Sequence, residues 1–300
     1  MSLQDIPKNK TMKKLSRRQF LGKSTLGIGS AVLMSQIPFD IIANSYTGAV
    51  KLPVGFQVWT VKDMLVKDFP GTLKMMAGLG YQSVEMCSPP GYESSGFGPL
   101  IQMKAKEMKQ IINDAGLIFM SSHYGFDELR NHLDERITFA LESGQKQMIL
   151  SSFGLPEKAT LSDWQRAADE LNKMGEKSKK AGIQMGYHNH HTEFAKIDDT
   201  LIYDALMKEF DPEYVKMQFQ VAVISIGYKA ATYFKKYPGR FISAHLADCS
   251  ATDKKDAPIG QGIVDWKEFF ASVETGGVKN IFVEMGMETF KESATYLHSL

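Results

Sequence analysis

The chain has 300 residues, of which 43% are hydrophobic and 23% are charged, a composition typical of folded globular proteins and unlike that of disordered chains. The formal net charge of +1 is unevenly distributed, because residues 1–49 carry 7 basic and 2 acidic side chains whereas residues 50–300 carry 28 basic and 32 acidic ones. The resulting acidic balance after residue 49 argues against a nucleic-acid partner, which would require a basic surface.

The first 49 residues have the pattern of an export signal. Arg17 and Arg18 stand in SRRQFLG (16–22), basic residues precede them, and a mildly apolar run, KSTLGIGSAVLM (23–34), follows. This order predicts a twin-arginine signal peptide and short linker over 1–49, with an amphipathic N-terminal helix as the alternative. The apolar run is too short and too weak to span a membrane. We therefore expect a protein that is periplasmic or otherwise exported through the twin-arginine pathway, without a stable membrane anchor.

From residue 50 onward, short apolar segments alternate with amphipathic helical segments. Eight strands are predicted, at 54–60, 81–86, 117–123, 147–153, 182–188, 215–221, 241–248 and 280–285. Helices are predicted at 68–78, 101–115, 126–143, 162–181, 198–209, 228–236, 265–274 and 288–299. Glycines follow several of these helices, at Gly80, Gly116, Gly144 and Gly182, where left-handed C-caps are favoured.

Eight β–α units in about 250 residues predict a single α/β domain over 50–300, a (β/α)8 TIM barrel. The alternative, a doubly wound open sheet, is weaker because no glycine-rich phosphate turn follows the first strand. Two cysteines, Cys87 and Cys249, are too few for a disulfide scaffold. We expect them to be buried free thiols rather than a disulfide.

In a TIM barrel the functional side chains lie at the C-terminal ends of the strands. The predicted strand ends carry many polar or ionisable side chains, namely Gln57, Trp59 with Lys62 just beyond, Glu85, His123, Ser151, Ser152, His188, His190, Gln220, His245, Asp248 and Glu284. Burying so many ionisable groups without a purpose is unfavourable. The set therefore predicts a binding site for a small polar substrate at this mouth.

Motifs along the whole of 50–300 carry a family resemblance. They are GFQVWTVKD (55–63), GYQSVEM (80–86), SSHYGF (121–126), GYHNHHTEF (186–194), KKYPGRFISAHLAD (235–248), IGQGIVDWKEFF (259–270), IFVEM (281–285) and SATYLHSL (293–300). In these the chain resembles the sugar phosphate isomerase/epimerase family, whose barrel is xylose-isomerase-like. The resemblance implies a carbohydrate substrate and one divalent metal at the mouth. It also admits isomerases, epimerases, dehydratases and lyases.

The resemblance places metal ligands at the ends of strands 5 to 8, which here are His188, Gln220, His245 and Glu284. The family has carboxylates where His188 and Gln220 stand. Two further departures are Ala247, in place of the lysine of an H-L-K-D motif, and Gln261, in place of a common glutamate. Imidazole and amide donors shift the expected ion from Mg²⁺ toward Mn²⁺, Co²⁺, Zn²⁺ or Fe²⁺.

Proton transfer next to a carbonyl needs a base and a group that stabilises the oxyanion. Glu284, Glu85 and His123 are the candidate catalytic residues. Gln57, Trp59, Lys62 and His190 are candidate substrate contacts, although Trp59 is also compatible with packing and His190 with supporting a metal ligand. Glu193 either orients a histidine ring or is a surface carboxylate, and His191 is expected to be structural.

The interpretation that these features favour is an exported isomerase or epimerase acting on a non-phosphorylated sugar or keto-sugar, since sugar phosphates are cytoplasmic metabolites. A metal-dependent lyase or dehydratase, eliminating from a 3-keto-glycoside or a cyclitol, is the alternative enzyme. A non-catalytic sugar-binding barrel is the alternative of another class. The departures from the family pattern at 220, 247 and 261 are the reason to consider such a binding protein.

Overall fold

A computed structural model describes residues 52–300; the predicted signal peptide lies outside these described residues. Eight parallel strands close into a barrel, namely β1 (Val54–Gln57), β2 (Ser83–Cys87), β3 (Ile118–Tyr124), β4 (Gln147–Leu150), β5 (Gln184–His188), β8 (Val215–Gln220), β9 (Phe241–Leu246) and β10 (Asn280–Val283). Around the barrel they follow the order β1-β10-β9-β8-β5-β4-β3-β2. Strands β6 (Lys196–Ile197) and β7 (Thr200–Leu201) form a small antiparallel hairpin. The predicted (β/α)8 barrel is confirmed.

Helices surround the barrel and connect its strands. They are α1 (Lys62–Lys67), α2 (Phe69–Gly78), α3 (Ala105–Asp114), α4 (Phe126–Ser143), α5 (Leu161–Lys180), α6 (Ile202–Glu209), α7 (Ala230–Lys236), α8 (Trp266–Gly276) and α9 (Phe290–Ser299). Gly144 directly follows α4, and Gly182 follows α5 after Ala181; their φ values of 83° and 86° are a left-handed conformation that only glycine enters without strain. The predicted C-caps at these helix ends are confirmed.

Two predicted elements differ from the structure in an informative way. The first strand ends at Gln57 instead of residue 60, and Val58–Val61 form a 3₁₀ turn. The Gln57 side chain caps this turn by accepting a hydrogen bond from the Trp59 amide, so Trp59 lies on a turn. The predicted helix 198–209 begins only at Ile202, because the hairpin β6–β7 occupies 196–201.

Large aromatic side chains fill the layer between barrel and helices. Among the fully buried ones are Trp266, Tyr187, Phe219, Phe234 and Phe269. Both cysteines are buried free thiols, as predicted. None of the helices within residues 52–300 combines the length and the apolar character that a membrane crossing requires.

The long segment between β9 and α8 is anchored by one buried carboxylate. Asp248 is 2% exposed. Its oxygens accept hydrogen bonds of 2.8–3.2 Å from the backbone amides of Cys249, Gly260, Gly262 and Val264 and from Trp266 Nε1. Asp248 therefore shapes this loop, although the sequence had placed it among the site candidates.

Asp248→Ala is expected to lower the free energy of unfolding by about 3 kcal/mol, because it leaves five donors without an acceptor. Urea denaturation followed by circular dichroism measures this loss. Asp253→Ala, an exposed position in the same loop, serves as the control and should change stability by less than about 0.5 kcal/mol. Equal losses in both variants would contradict the anchoring role.

Candidate active site

Glu85 is a fully buried carboxylate in the middle of β2, two residues before the end of the strand. Its Oε1 lies 2.6 Å from His245 Nε2 and 3.1 Å from His123 Nε2. Its Oε2 accepts hydrogen bonds from Ser121 Oγ at 2.5 Å and from Gln218 Nε2 at 2.9 Å. Burial by itself raises the pKa of Glu85, but the neighbouring His123 and His245 hold it below its ordinary value. Glu85 is therefore an anion fixed in place by four partners.

His245, on β9, bridges the two carboxylates predicted for catalysis. Its Nε2 faces Glu85, and its Nδ1 lies 2.9 Å from Glu284 Oε2. Burial lowers the pKa of His245, but the charges of Glu284 and Glu85 outweigh burial and raise the pKa to about 9. The array Glu85–His245–Glu284 thus runs from the barrel interior to its mouth.

Three buried histidines converge beside this array. His123, His188 and His245 each offer a ring nitrogen, and these atoms lie within 4.8 Å of one another. His188 Nδ1 is buried and has no hydrogen-bond partner within residues 52–300. Burial, together with the three neighbouring histidines, lowers the pKa of His188 well below its ordinary value, so its ring is neutral.

An unpartnered buried nitrogen calls for an explanation, and a bound ion is one. Neutral imidazoles are common metal ligands, and hydrogen bonds to the far ring nitrogen usually orient them. Glu85 makes such a bond to His245. The donor set therefore fits a divalent ion, and the three buried histidines can hold one.

Glu284 lies directly after β10 and is partly exposed, with 16% of its side chain accessible to solvent. Burial raises its pKa, but His245 outweighs burial and lowers the pKa below its ordinary value. Gln220 Nε2 donates a 2.6 Å hydrogen bond to Glu284 Oε2. Gln220 Oε1 accepts from the Ala222 amide at 3.2 Å, so both ends of the Gln220 amide are engaged.

The four predicted substrate contacts lie in different surroundings. Gln57 is buried, and its Nε2 lies 3.5 Å from Cys87 Sγ. Trp59 is 38% exposed, and Lys62 Nζ lies 4.0 Å from the centre of its ring. His190 is exposed, with its ring centre 4.7 Å from that of His188. Trp59, Lys62 and His190 can therefore meet a ligand from solvent, whereas Gln57 cannot do so without rearrangement. Their roles stay predictions.

Glu193 supports the loop after β5 in a way the sequence did not indicate. It is buried, and it accepts a 2.5 Å bond from Tyr187 Oη and a 2.8 Å bond from the His190 amide. Glu193 therefore orients the His190 backbone and the Tyr187 side chain rather than a histidine ring. His191 is exposed and lies 3.2 Å from Ser225 Oγ.

Sequence reasoning missed Gln218 and Ser121, which complete the polar network around Glu85. Gln218 Oε1 lies 2.7 Å from His123 Nε2, while its Nε2 reaches Glu85 and Ser243. Gln218 stands two residues before Gln220 on β8, and side chains two apart on a strand share a face. The spacing of the two glutamines in QFQ (218–220) could therefore have indicated that Gln218 shares the face of Gln220.

Comparisons with known proteins agree with this architecture. The profile of the family described as Xylose isomerase-like TIM barrel matches residues 73–300. An inosose dehydratase of Lacticaseibacillus casei is 21% identical over 234 residues, which cover 65% of this chain and 78% of that protein.

Two solved structures share the fold. A sugar phosphate isomerase/epimerase from Parabacteroides distasonis ATCC 8503 aligns with a TM-score of 0.70 and 24% identity, over 82% of this chain and 93% of that chain. A xylose isomerase-like TIM barrel protein from Mycobacterium smegmatis, in complex with magnesium, aligns with a TM-score of 0.62 and 14% identity, over 85% and 98%. With the family profile covering most of the barrel, the chain belongs to the xylose isomerase-like TIM barrel family.

Proposed function

We propose that this protein is an enzyme that removes the proton next to the carbonyl of a non-phosphorylated keto-sugar or cyclitol derivative and then eliminates an oxygen substituent from the adjacent carbon. The observation that carries the proposal is the different exposure of two carboxylates. Glu284 is partly open at the mouth, whereas Glu85 is fully buried beneath His245. Glu284 can therefore meet the substrate and is the base, whereas Glu85 orients the side chains that surround it.

The proposed reaction needs three groups with separate tasks. A Glu284 carboxylate oxygen takes the proton from carbon, and its lowered pKa keeps it ionised at neutral pH. The electron pair of that C–H bond expels the β-oxygen, which takes a proton as it leaves and gives an unsaturated carbonyl product plus water or an alcohol. We assign the supply of that proton to His190, whose ring is exposed and is centred 4.7 Å from that of His188. A divalent ion on the histidine cluster would supply positive charge at the substrate carbonyl.

The charged groups of the barrel support a substrate without phosphate. Within residues 52–300 the four arginines have partners of their own: Arg130 with Glu170, Arg136 with Glu128, Arg166 with Asp163, and Arg240 with carbonyl oxygens of Met207 and Phe210. Phosphate groups are usually clamped by such guanidinium forks. Lys62 forms no ion pair with a carboxylate of the described residues, and we assign it to a substrate hydroxyl. The predicted export, which stays a prediction, points the same way.

Isomerisation or epimerisation is the second candidate, because it shares the first proton transfer. Epimerisation at one carbon requires proton-transfer groups on both faces, and burial of Glu85 removes one of the two predicted carboxylates from the substrate. The Lacticaseibacillus casei relative is a dehydratase by name, which supports elimination. The Parabacteroides distasonis relative carries an isomerase/epimerase name, which supports the second candidate.

Incubation in D₂O with 3-keto-glycosides, inososes and free ketoses, followed by proton NMR, tests the proposal. We expect loss of the α-proton signal together with an unsaturated carbonyl product and release of the β-substituent. Deuterium exchange without elimination would favour the isomerase or epimerase candidate. Saturable sugar binding with neither exchange nor elimination would contradict catalysis and favour a sugar-binding barrel.

A further inference from the structure

We infer that the metal site of this barrel is formed by His123, His188 and His245 with Glu284, that Gln220 is not a ligand, and that the site prefers a borderline transition ion over Mg²⁺. The inference deepens the proposed function by naming the ligands and the class of ion. It concerns metal binding, which can be measured separately from turnover.

Gln220 is excluded by its hydrogen bonds. Its Oε1 accepts from the Ala222 amide at the start of the 3₁₀ helix Val221–Ile226, and its Nε2 donates to Glu284. Turning the amide over would set its NH₂ against the Ala222 N–H and its oxygen against the carboxylate, so the hydrogen-bond pattern defines the orientation. In this orientation the NH₂ end faces Glu284 while the oxygen faces the Ala222 amide, and an amide NH₂ offers no lone pair to an ion.

His123, on β3, is the ligand that replaces Gln220 in the proposed site. Its Nε2 lies 2.7 Å from Gln218 Oε1 and 3.1 Å from Glu85 Oε1. Both oxygens only accept hydrogen bonds, so Nε2 carries the ring proton and Nδ1 keeps a free lone pair. The His123 ring stacks on that of His245 at 5.1 Å with an interplanar angle of 10°. One carboxylate, Glu85, therefore orients two imidazoles of the cluster.

His188 supplies the third nitrogen and the clearest sign of a ligand. It is 1% exposed, its Nδ1 lacks a partner within residues 52–300, and its ring centre lies 4.5 Å from that of His245. Glu284 Oε2 lies 2.9 Å from His245 Nδ1, so a bound ion would displace the proton that these two atoms share and would take one donor from each residue. Gln218 and Glu85 are not ligands; they orient the His123 and His245 rings through hydrogen bonds to Nε2.

The donor types decide the class of ion. Mg²⁺ favours oxygen ligands in near-octahedral geometry and retains several waters. Three imidazoles and one carboxylate instead suit Zn²⁺, Co²⁺, Fe²⁺ or Mn²⁺. The inference thus separates this chain from the magnesium complex of the Mycobacterium smegmatis relative.

Titration of the metal-free protein with Co²⁺, followed by visible absorption and calorimetry, tests the ligand set. We expect one Co²⁺ per chain with visible ligand-field bands, and much weaker binding of Mg²⁺. His123→Ala should weaken Co²⁺ binding by about tenfold or more, whereas Gln220→Ala should leave it within about threefold. His123→Gln, whose amide retains the donor to Gln218 and Glu85 but lacks the free ring nitrogen, should also weaken binding if His123→Ala folds poorly.

Two outcomes would overturn the inference: Gln220→Ala losing Co²⁺ while both His123 variants retain it, or Mg²⁺ binding more tightly than Co²⁺. Either of these outcomes in a protein that still eliminates the β-substituent would overturn the inference and leave the proposed function standing. A one-to-one Co²⁺ complex that exchanges no substrate proton would do the reverse.

Discussion

Glu284→Gln is expected to reduce kcat by between about 10²-fold and 10⁴-fold, the range typical for loss of a general base. The amide keeps the size of the side chain but cannot accept the substrate proton. Substrate binding, measured by calorimetry at saturating divalent metal, should persist, because the residue acts mainly on the reacting C–H bond. Rate and deuterium exchange are measured on the same preparation.

The metal content of the Glu284→Gln protein must be determined in parallel, since Glu284 is also a proposed ligand of the ion, beside His245. Glu274→Gln, on the exposed face of α8, is the matched control and should retain full activity. A Glu284→Gln variant with kcat within about twofold of the wild type would remove Glu284 from the role of base.

Glu85→Ala is expected to destabilise the fold by about 3–5 kcal/mol, the loss typical when one partner of a buried charged pair is removed. His245, Gln218 and Ser121 would each lose an acceptor in a fully buried position. Affinity for the divalent ion should fall by about 10-fold to 100-fold as well, because His123 and His245 lose the carboxylate that orients them. Urea unfolding and Co²⁺ titration measure the two effects.

Ser121→Ala provides the comparison, since it removes a single hydrogen bond to the same carboxylate and should destabilise by about 1 kcal/mol. If Glu85→Ala kept wild-type stability and metal affinity but lost activity, Glu85 would contact substrate, as the sequence alone suggested. Its complete burial is the reason to expect the opposite.

The departures from the family pattern have different consequences in three dimensions. His188 lies in the histidine cluster, and Gln220 caps the chain beside Glu284. Gln261 is exposed and donates to Glu292 on α9 at 2.9 Å, so it ties a loop to a helix instead of joining the cluster. Of these three, the changes at 188 and 220 therefore alter the charge next to the proposed base, whereas that at 261 does not.

Local pattern was sufficient to predict the order of elements and the face on which the site would lie. Apolar segments of strand length alternate with amphipathic helices that end at glycines such as Gly144 and Gly182, and both features depend on neighbours within a few residues. Parallel strands in a barrel bring their C-terminal ends to one face. His123, His188, His245 and Glu284 could therefore be predicted to meet there before any coordinates were known.

Tertiary structure alone decided what each of these groups does. Glu85 and His245 are 160 residues apart, and their contact depends on the register of strands around the closed barrel. By sequence, Gln220 is a candidate ligand, but in the structure its amide caps its own loop. Gln218 carries no signal of its own in the sequence, yet it links His123 to Glu85 in the structure. Strand alternation tells which face a side chain occupies, but depth, partner and free lone pair follow from packing between distant strands, which no local pattern encodes.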